Sequence, residues 1–287
     1  MSKSLRVGHY QCECTPGDYE ANIGKVLEGL EFAERERLDI MVFPESFLTG
    51  YFERRDRFDL HSWPLDGPEL AAFLERVARF PNLFMVGLNE KRDGNIYNTV
   101  ILVERGEVVG TYRKAFPCSE HETPGREFPV FEKNGVTFGI LICADGGYIE
   151  PTRILALKGA RVIFAPHYNY IPPQSLISHF TMVRSDHTAR AVENSVWFMR
   201  CNNVCTGRAP GLDYDGVGSG DSYLVDPDGE IMVRSQRHQE CFVTATITVD
   251  DDAKYSGRSR ASAEALLPAL QQALTQASQS EETPKKE

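Results

Sequence analysis

Short apolar runs alternate along this chain with stretches in which apolar residues recur every three or four positions. The first pattern is that of buried strands and the second that of amphipathic helices. Leu5 to Cys12 alternates as a strand. Asp18 to Arg37 has helical spacing, with Ile23, Val26, Leu27, Leu30 and Ala33 on one face and charges opposite. Ile40 to Phe43 is a short buried strand that stops at Pro44-Glu45, 68–80 reads as a helix, and 83–88 as a strand. Strands at 97–103 and 108–112 flank Glu104-Arg-Gly-Glu107, a hairpin signal. Val136 to Cys143 is a further strand, followed by a helix from about Glu150 to Leu157. A strand at 161–165, a helix at 180–193 and a strand at 196–201 come next. A second hairpin, 222–225 and 231–233, surrounds Asp226-Pro-Asp-Gly229, and 241–247 is the last strand.

Two halves, each strand–helix–strand–helix with a hairpin, predict an α/β (α+β) fold of two face-to-face sheets with helices outside. No Pro- or Ser-rich linker divides the pattern, so residues 1–255 read as one domain. Residues 256–278 read as a helical extension, and the polar 279–287 as a disordered tail.

The composition, 41% hydrophobic and 25% charged, is that of a globular protein. A net charge of −10 argues against nucleic acid or an anionic membrane as main partner. The apolar runs are too short to span a bilayer and the N-terminus lacks a signal core, which predicts a cytoplasmic protein. Most of the seven scattered cysteines then read as free thiols. Cys12-x-Cys14 and Cys201-x3-Cys205 lack the histidines of a zinc quartet, so no metal is expected.

Three strand ends carry chemistry. Glu45, Lys114 and Cys143 each follow an apolar run. A thiol, a carboxylate and an ammonium together suit attack on a carbon–nitrogen bond at an sp² carbon. The carboxylate serves as base, while Lys114 and the Ala144 amide serve as oxyanion donors. Cys143 runs into Ala144-Asp-Gly-Gly147, a tight turn that holds the sulfur in the open near a helix start, where thiolate is favoured. A buried structural cysteine is the alternative for that residue. Isolated strand-end carboxylates and ammonium groups are most often solvated.

Around these positions the chain resembles the nitrilase superfamily of carbon–nitrogen hydrolases. The resemblance rests on Val42-Phe-Pro-Glu45-Ser with Thr49-Gly50-Tyr51, on Tyr112-Arg-Lys114, and on Cys143-Ala-Asp145-Gly-Gly-Tyr148-Ile-Glu150. Arg190-Ala-Val-Glu193-Asn194 and Asp226-Pro-Asp-Gly229 fit two further signatures. The resemblance implies a four-layer αββα sandwich, commonly dimerised through helices, and a Glu45–Lys114–Cys143 triad acting through a thioester without cofactor. It also implies a second catalytic glutamate between the lysine and cysteine motifs. Glu120 and Glu122 are the candidates, and spacing to Pro124-Gly125 favours Glu120. Gly147 and Ile149 stand where relatives often carry arginine and proline.

Ala144-Asp145 departs from the Trp-Glu of nitrile hydrolysers, which favours an amide or N-carbamoyl substrate. Tyr51, Glu122, Gly147, His167, Tyr168, Asn169 and Asn203 are candidate substrate contacts. His9, His121, His167 and His179 read as structural or pocket-lining. Arg190, Glu193 and Glu150 read as holding helices and a dimer seam. Two other functions stay open: an inactive relative serving as a binding or regulatory subunit, and an acyltransferase with an amine acceptor.

Overall fold

A computed structural model describes residues 3–205, 207, 209, 212–249, 265–273 and 275. In chain order the first half gives β1 (Lys3–Gln11), α1 (Tyr19–Arg35), β2 (Ile40–Val42), α2 (Arg55–His61), α3 (Pro68–Val77), β3 (Leu83–Arg92), β4 (Asn95–Glu104) and β5 (Glu107–Arg113). The second half gives β6 (Val130–Lys133), β7 (Val136–Ile140), α4 (Ile149–Leu157), β8 (Val162–Pro166), α5 (Leu176–Asn194) and β9 (Trp197–Cys201). It ends with β10 (Val204–Cys205), β11 (Gly218–Ser219), β12 (Tyr223–Val225), β13 (Ile231–Arg234) and β14 (Cys241–Val249).

Two six-stranded sheets form, in the orders β14-β1-β2-β3-β4-β5 and β13-β12-β9-β8-β7-β6. Each has three parallel central strands, β1-β2-β3 and β7-β8-β9, flanked by antiparallel neighbours. The alternation of side chains across a strand decides what each face touches. Ile40 and Val42 of β2 enter the core between the sheets with Phe138, Ile140 and Phe198. Met41 and Phe43 turn outward onto Ile23, Val26 and Leu30 of α1 and Phe73 of α3. Helices α4 and α5 pack on the second sheet, so the expected αββα sandwich is the observed one. Phe138 is fully buried between the sheets, and truncating it to alanine costs about 3–5 kcal/mol.

Three local differences from the expectation have physical causes. Helix α2 is short and buries Phe58 alone, too little to give a periodic signal. The edge strand β6 pairs only with β7 and is half-buried along most of its length, so it lacks an apolar run. Strand β7 stops at Ile140 rather than Cys143 because Asp145 takes over the Ile142 amide (3.0 Å). In the expected C-terminal extension, 265–273 are helical and exposed, while the expected tail at 279–287 lies outside the described residues. No helix among the described residues is long and apolar enough to cross a membrane.

Candidate active site

The C-terminal ends of the parallel strands, with the end of β5, deliver the reactive groups. Glu45 follows β2, in a turn where Ser46 takes a left-handed backbone (φ 51°). The turn lies hard against β3, and a Cβ on Gly87 would sit 2.3 Å from the Ser46 amide, so only glycine fits there. Asn89 fastens the loop through Thr49 Oγ1 (3.0 Å) and the Gly50 carbonyl (2.8 Å), which gives the Thr49-Gly50 signature its structural reason. Glu45 is fully buried. Its Oε1 accepts from Lys114 Nζ (2.6 Å) and Asn98 Nδ2 (2.8 Å), and its Oε2 from the Tyr168 amide (2.8 Å).

Lys114 stands at the end of β5 and is as buried as its partner. Burial works to lower its pKa, but the Glu45 charge and the neighbouring Cys143 outweigh it, and the ammonium is held well above its ordinary value. Its Nζ is 3.7 Å from Cys118 Sγ.

Cys143 opens a 3₁₀ turn, Cys143–Gly147, with a left-handed backbone at the cysteine itself (φ 48°). A non-glycine residue held there stores local strain, and the surroundings must over-determine it. Asp145 supplies that constraint. Its buried carboxylate accepts from Tyr112 Oη (2.7 Å), the Phe116 amide (2.8 Å) and the Ile142 amide (3.0 Å), locking the elbow to the strand that carries Lys114. Burial still raises the Asp145 pKa against these donors.

The sulfur is half-buried rather than in the open. Burial and the Glu45 charge push the Cys143 thiol up, and Lys114 only partly opposes them. Burial and Glu45 thus work against the thiolate that the turn and the helix start were expected to favour. Cys143 and Ala144 line a cavity of about 440 Å³ with Tyr51, Cys118, His167 and Asn169.

A family model for carbon–nitrogen hydrolases matches residues 6–255. The chain belongs to that family, within the nitrilase superfamily. An (R)-stereoselective amidase from a Pseudomonas species is 29% identical over 78% of each chain. A glutamine-dependent NAD(+) synthetase from Thermotoga maritima is 28% identical over 88% of this chain, which spans only 44% of that longer protein. An amidase structure from a Nesterenkonia species superposes with a TM-score of 0.70 at 21% identity, covering 91% of this chain and 95% of that one.

Within this carbon–nitrogen hydrolase the two candidate second glutamates sit in different surroundings. Glu120 is exposed on its loop, whereas Glu122 is buried beside Lys114, Glu45 and Asn98. The loop folds Glu122 inward, its amide bonded to the Ser119 carbonyl (3.2 Å) and the next amide to the Ile96 carbonyl (2.6 Å). Burial lifts the Glu122 carboxyl to about 7, with Lys114 pulling it down and Glu45 pushing it up.

The other candidates divide. Tyr51 stacks on Tyr168 (4.7 Å between ring centres), and both line the cavity with Gly147. Asn169 aims Nδ2 at Cys143 Sγ (3.7 Å), and its amide donates to Asn203 Oδ1 (2.7 Å). Asn203 therefore orients Asn169 from behind and is absent from the cavity wall. Glu122 also lies off the wall. His9 is buried between the carbonyls of Val42 and Asn202 (2.9 Å each), a bridge between strand ends, and His179 lines the cavity. Arg190 reaches the Tyr148 and Gly147 carbonyls (3.0 Å each), tying α5 to the end of the cysteine turn.

Two residues here escaped the sequence reading. Asn98 donates to Glu45 from within β4. Arg200 is fully buried in β9 and donates to Asn169 Oδ1 and the Asp221 carbonyl (2.5 Å). A polar residue inside an otherwise apolar strand was the available signal in both cases. All seven cysteines are free, and among the described residues no His/Cys/Asp/Glu cluster could hold a metal ion.

Proposed function

We propose that this carbon–nitrogen hydrolase is an amidase that works through a Cys143 thioester, its substrate a primary amide or N-carbamoyl compound. The observation that carries the reading is the fully buried Lys114–Glu45 pair, 2.6 Å apart, whose charges both act on Cys143 at a cavity wall. A protonated thiol needs a base, and Glu45 is the carboxylate whose charge acts most strongly on it.

Glu45 takes the thiol proton as sulfur bonds to the amide carbon. The oxyanion forms against Lys114 and the Ala144 amide. The C–N bond breaks, nitrogen takes the proton from Glu45, and ammonia leaves. Water then gives a proton to Glu45 and attacks the thioester carbon. Sulfur departs and recovers its proton. Glu122, not Glu120, is the second carboxylate in this scheme: it shares Asn98 with Glu45 and lies in the field of Lys114.

The test is ammonia release from a panel of primary amides and N-carbamoyl compounds, with Cys143→Ala as blank. Turnover by the parent and none by the variant is expected; turnover surviving in the variant rejects the assignment. Intact-mass analysis then separates the enzyme from a binding subunit. A substrate-dependent acyl adduct on Cys143 supports the enzyme, while an inert thiol with no turnover supports the binding role.

A further inference from the structure

One charge in the cavity is unused by this chemistry. Asp186, on α5, lines the wall half-buried, and among the described residues it accepts no hydrogen bond and forms no ion pair. The cation whose charge acts on it, Arg190, is engaged with Tyr148, Gly147 and Glu193. The cavity lining includes no lysine or arginine among the described residues. Its imidazoles, His167, His179 and His187, are all kept neutral, chiefly by burial. A carboxylate in such a place lacks the counter-charge that partly buried ions normally find.

Gly147 explains how that carboxylate stays open. A Cβ built there would meet nothing within 4 Å except Asp186 Oδ2, at 3.6 Å. The residue that could have answered Asp186 from the cysteine turn is thus missing its side chain. The wall around the gap is apolar and aromatic, from Ile171, Met182, Val183 and Tyr148. Such a wall suits an aliphatic chain, and tyrosine faces favour a passing cation. When the leaving group is ammonia it needs no room of its own, so the cavity volume is available to the acyl part.

Building on the amidase reading, we infer that the substrate is a primary amide whose aliphatic acyl chain ends in a cation, which pairs with Asp186 across the space Gly147 leaves. The ligand supplies the charge that the chain omits.

The test is calorimetric titration of the Cys143→Ala protein at neutral pH with two probes of matched length, 6-aminohexanamide and heptanamide. The ammonium probe is expected to bind about ten-fold more tightly. Asp186→Asn should bring the two within about two-fold. Gly147→Arg, which places an internal guanidinium against Asp186, should also erase the preference. Equal affinities in the parent, or a preference that survives both substitutions, overturn the inference. Binding is read without turnover, so failure here leaves the amidase reading intact, and failure of the turnover screen leaves this result standing.

Discussion

Two buried glutamates, Glu90 in β3 and Glu45 in the turn after β2, meet opposite fates. Glu90 is held by a fork: Arg113 reaches it with Nε (2.7 Å) and Nη2 (2.6 Å), and Thr99 Oγ1 adds a third bond (2.8 Å). Glu45 is held by a point: Lys114 Nζ, with Asn98 and one backbone amide. The partners are chain neighbours, Asn98 beside Thr99 and Arg113 beside Lys114. One step along a strand reverses the face, so the same two strands supply both sites. A planar guanidinium saturates a carboxylate and does not give up its proton. A single ammonium on one oxygen makes no such fork, and in the proposed scheme this carboxylate exchanges a proton with the Cys143 thiol. The difference between an inert clamp and a candidate base lies in the cation and the neighbour, not in burial.

The sharpest way to break the contrast is to neutralise Glu45. Glu45→Gln keeps the shape and removes the proposed base, and kcat/KM for the amide found by the screen should fall by about 10⁴-fold. Circular dichroism and melting should show a folded protein. A loss under ten-fold would put the base elsewhere.

Giving Glu45 the clamp of Glu90 is the next test. Lys114→Arg conserves charge but forces a fork into a slot with no exposed volume. Glu45 and the oxyanion donor both shift, and kcat should drop by about 10³-fold. Steady-state kinetics decide it, and a KM-only effect would mean Lys114 merely binds substrate.

Much of this was legible in the sequence. The strand and helix periods located both sheets, because inner and outer faces each bury apolar side chains. Glu45, Lys114 and Cys143 stood out as strand-end residues, and their motifs carried the resemblance. What was not legible depends on loop paths and on single residues. The choice between Glu120 and Glu122 turns on which way residues 119–123 fold, a matter of two backbone hydrogen bonds. The upward push on the Cys143 thiol comes first from burial and then from the Glu45 charge, both of which only the three-dimensional fold creates. Asn98 and Arg200 looked like breaks in strand patterns, since their partners lie far away along the chain.

Glu122 shows what the functional side costs in stability. Its carboxyl is raised from 4.5 to about 7, so the folded state holds this proton more tightly than the unfolded chain does. The sign follows: between those values the folded protein binds more protons, so stability falls as pH rises through the window. Above it the full penalty is on the order of 3 kcal/mol, at about 1.36 kcal/mol per unit. Glu122→Gln removes the ionisation, so its melting temperature should exceed the parent's at pH 8 and match it near pH 4. Parallel melting curves across that range would refute the buried, raised carboxyl.

The smallest effect belongs to the inert clamp. Arg113→Lys replaces the fork at Glu90 with a point charge, the arrangement found at Glu45. Glu90 keeps Thr99 and a cation but loses one charge-assisted bond. Arg113 is partly exposed, with 22% of its side chain accessible, so water softens the loss to about 1 kcal/mol. Urea denaturation should register that change while kcat/KM stays within about two-fold of the parent. Glu90 has no thiol to serve, so turning its partner into a lysine should not turn it into a base. If activity fell along with stability, the two faces of β4 and β5 would be mechanically linked, and the separation of clamp from chemistry would fail.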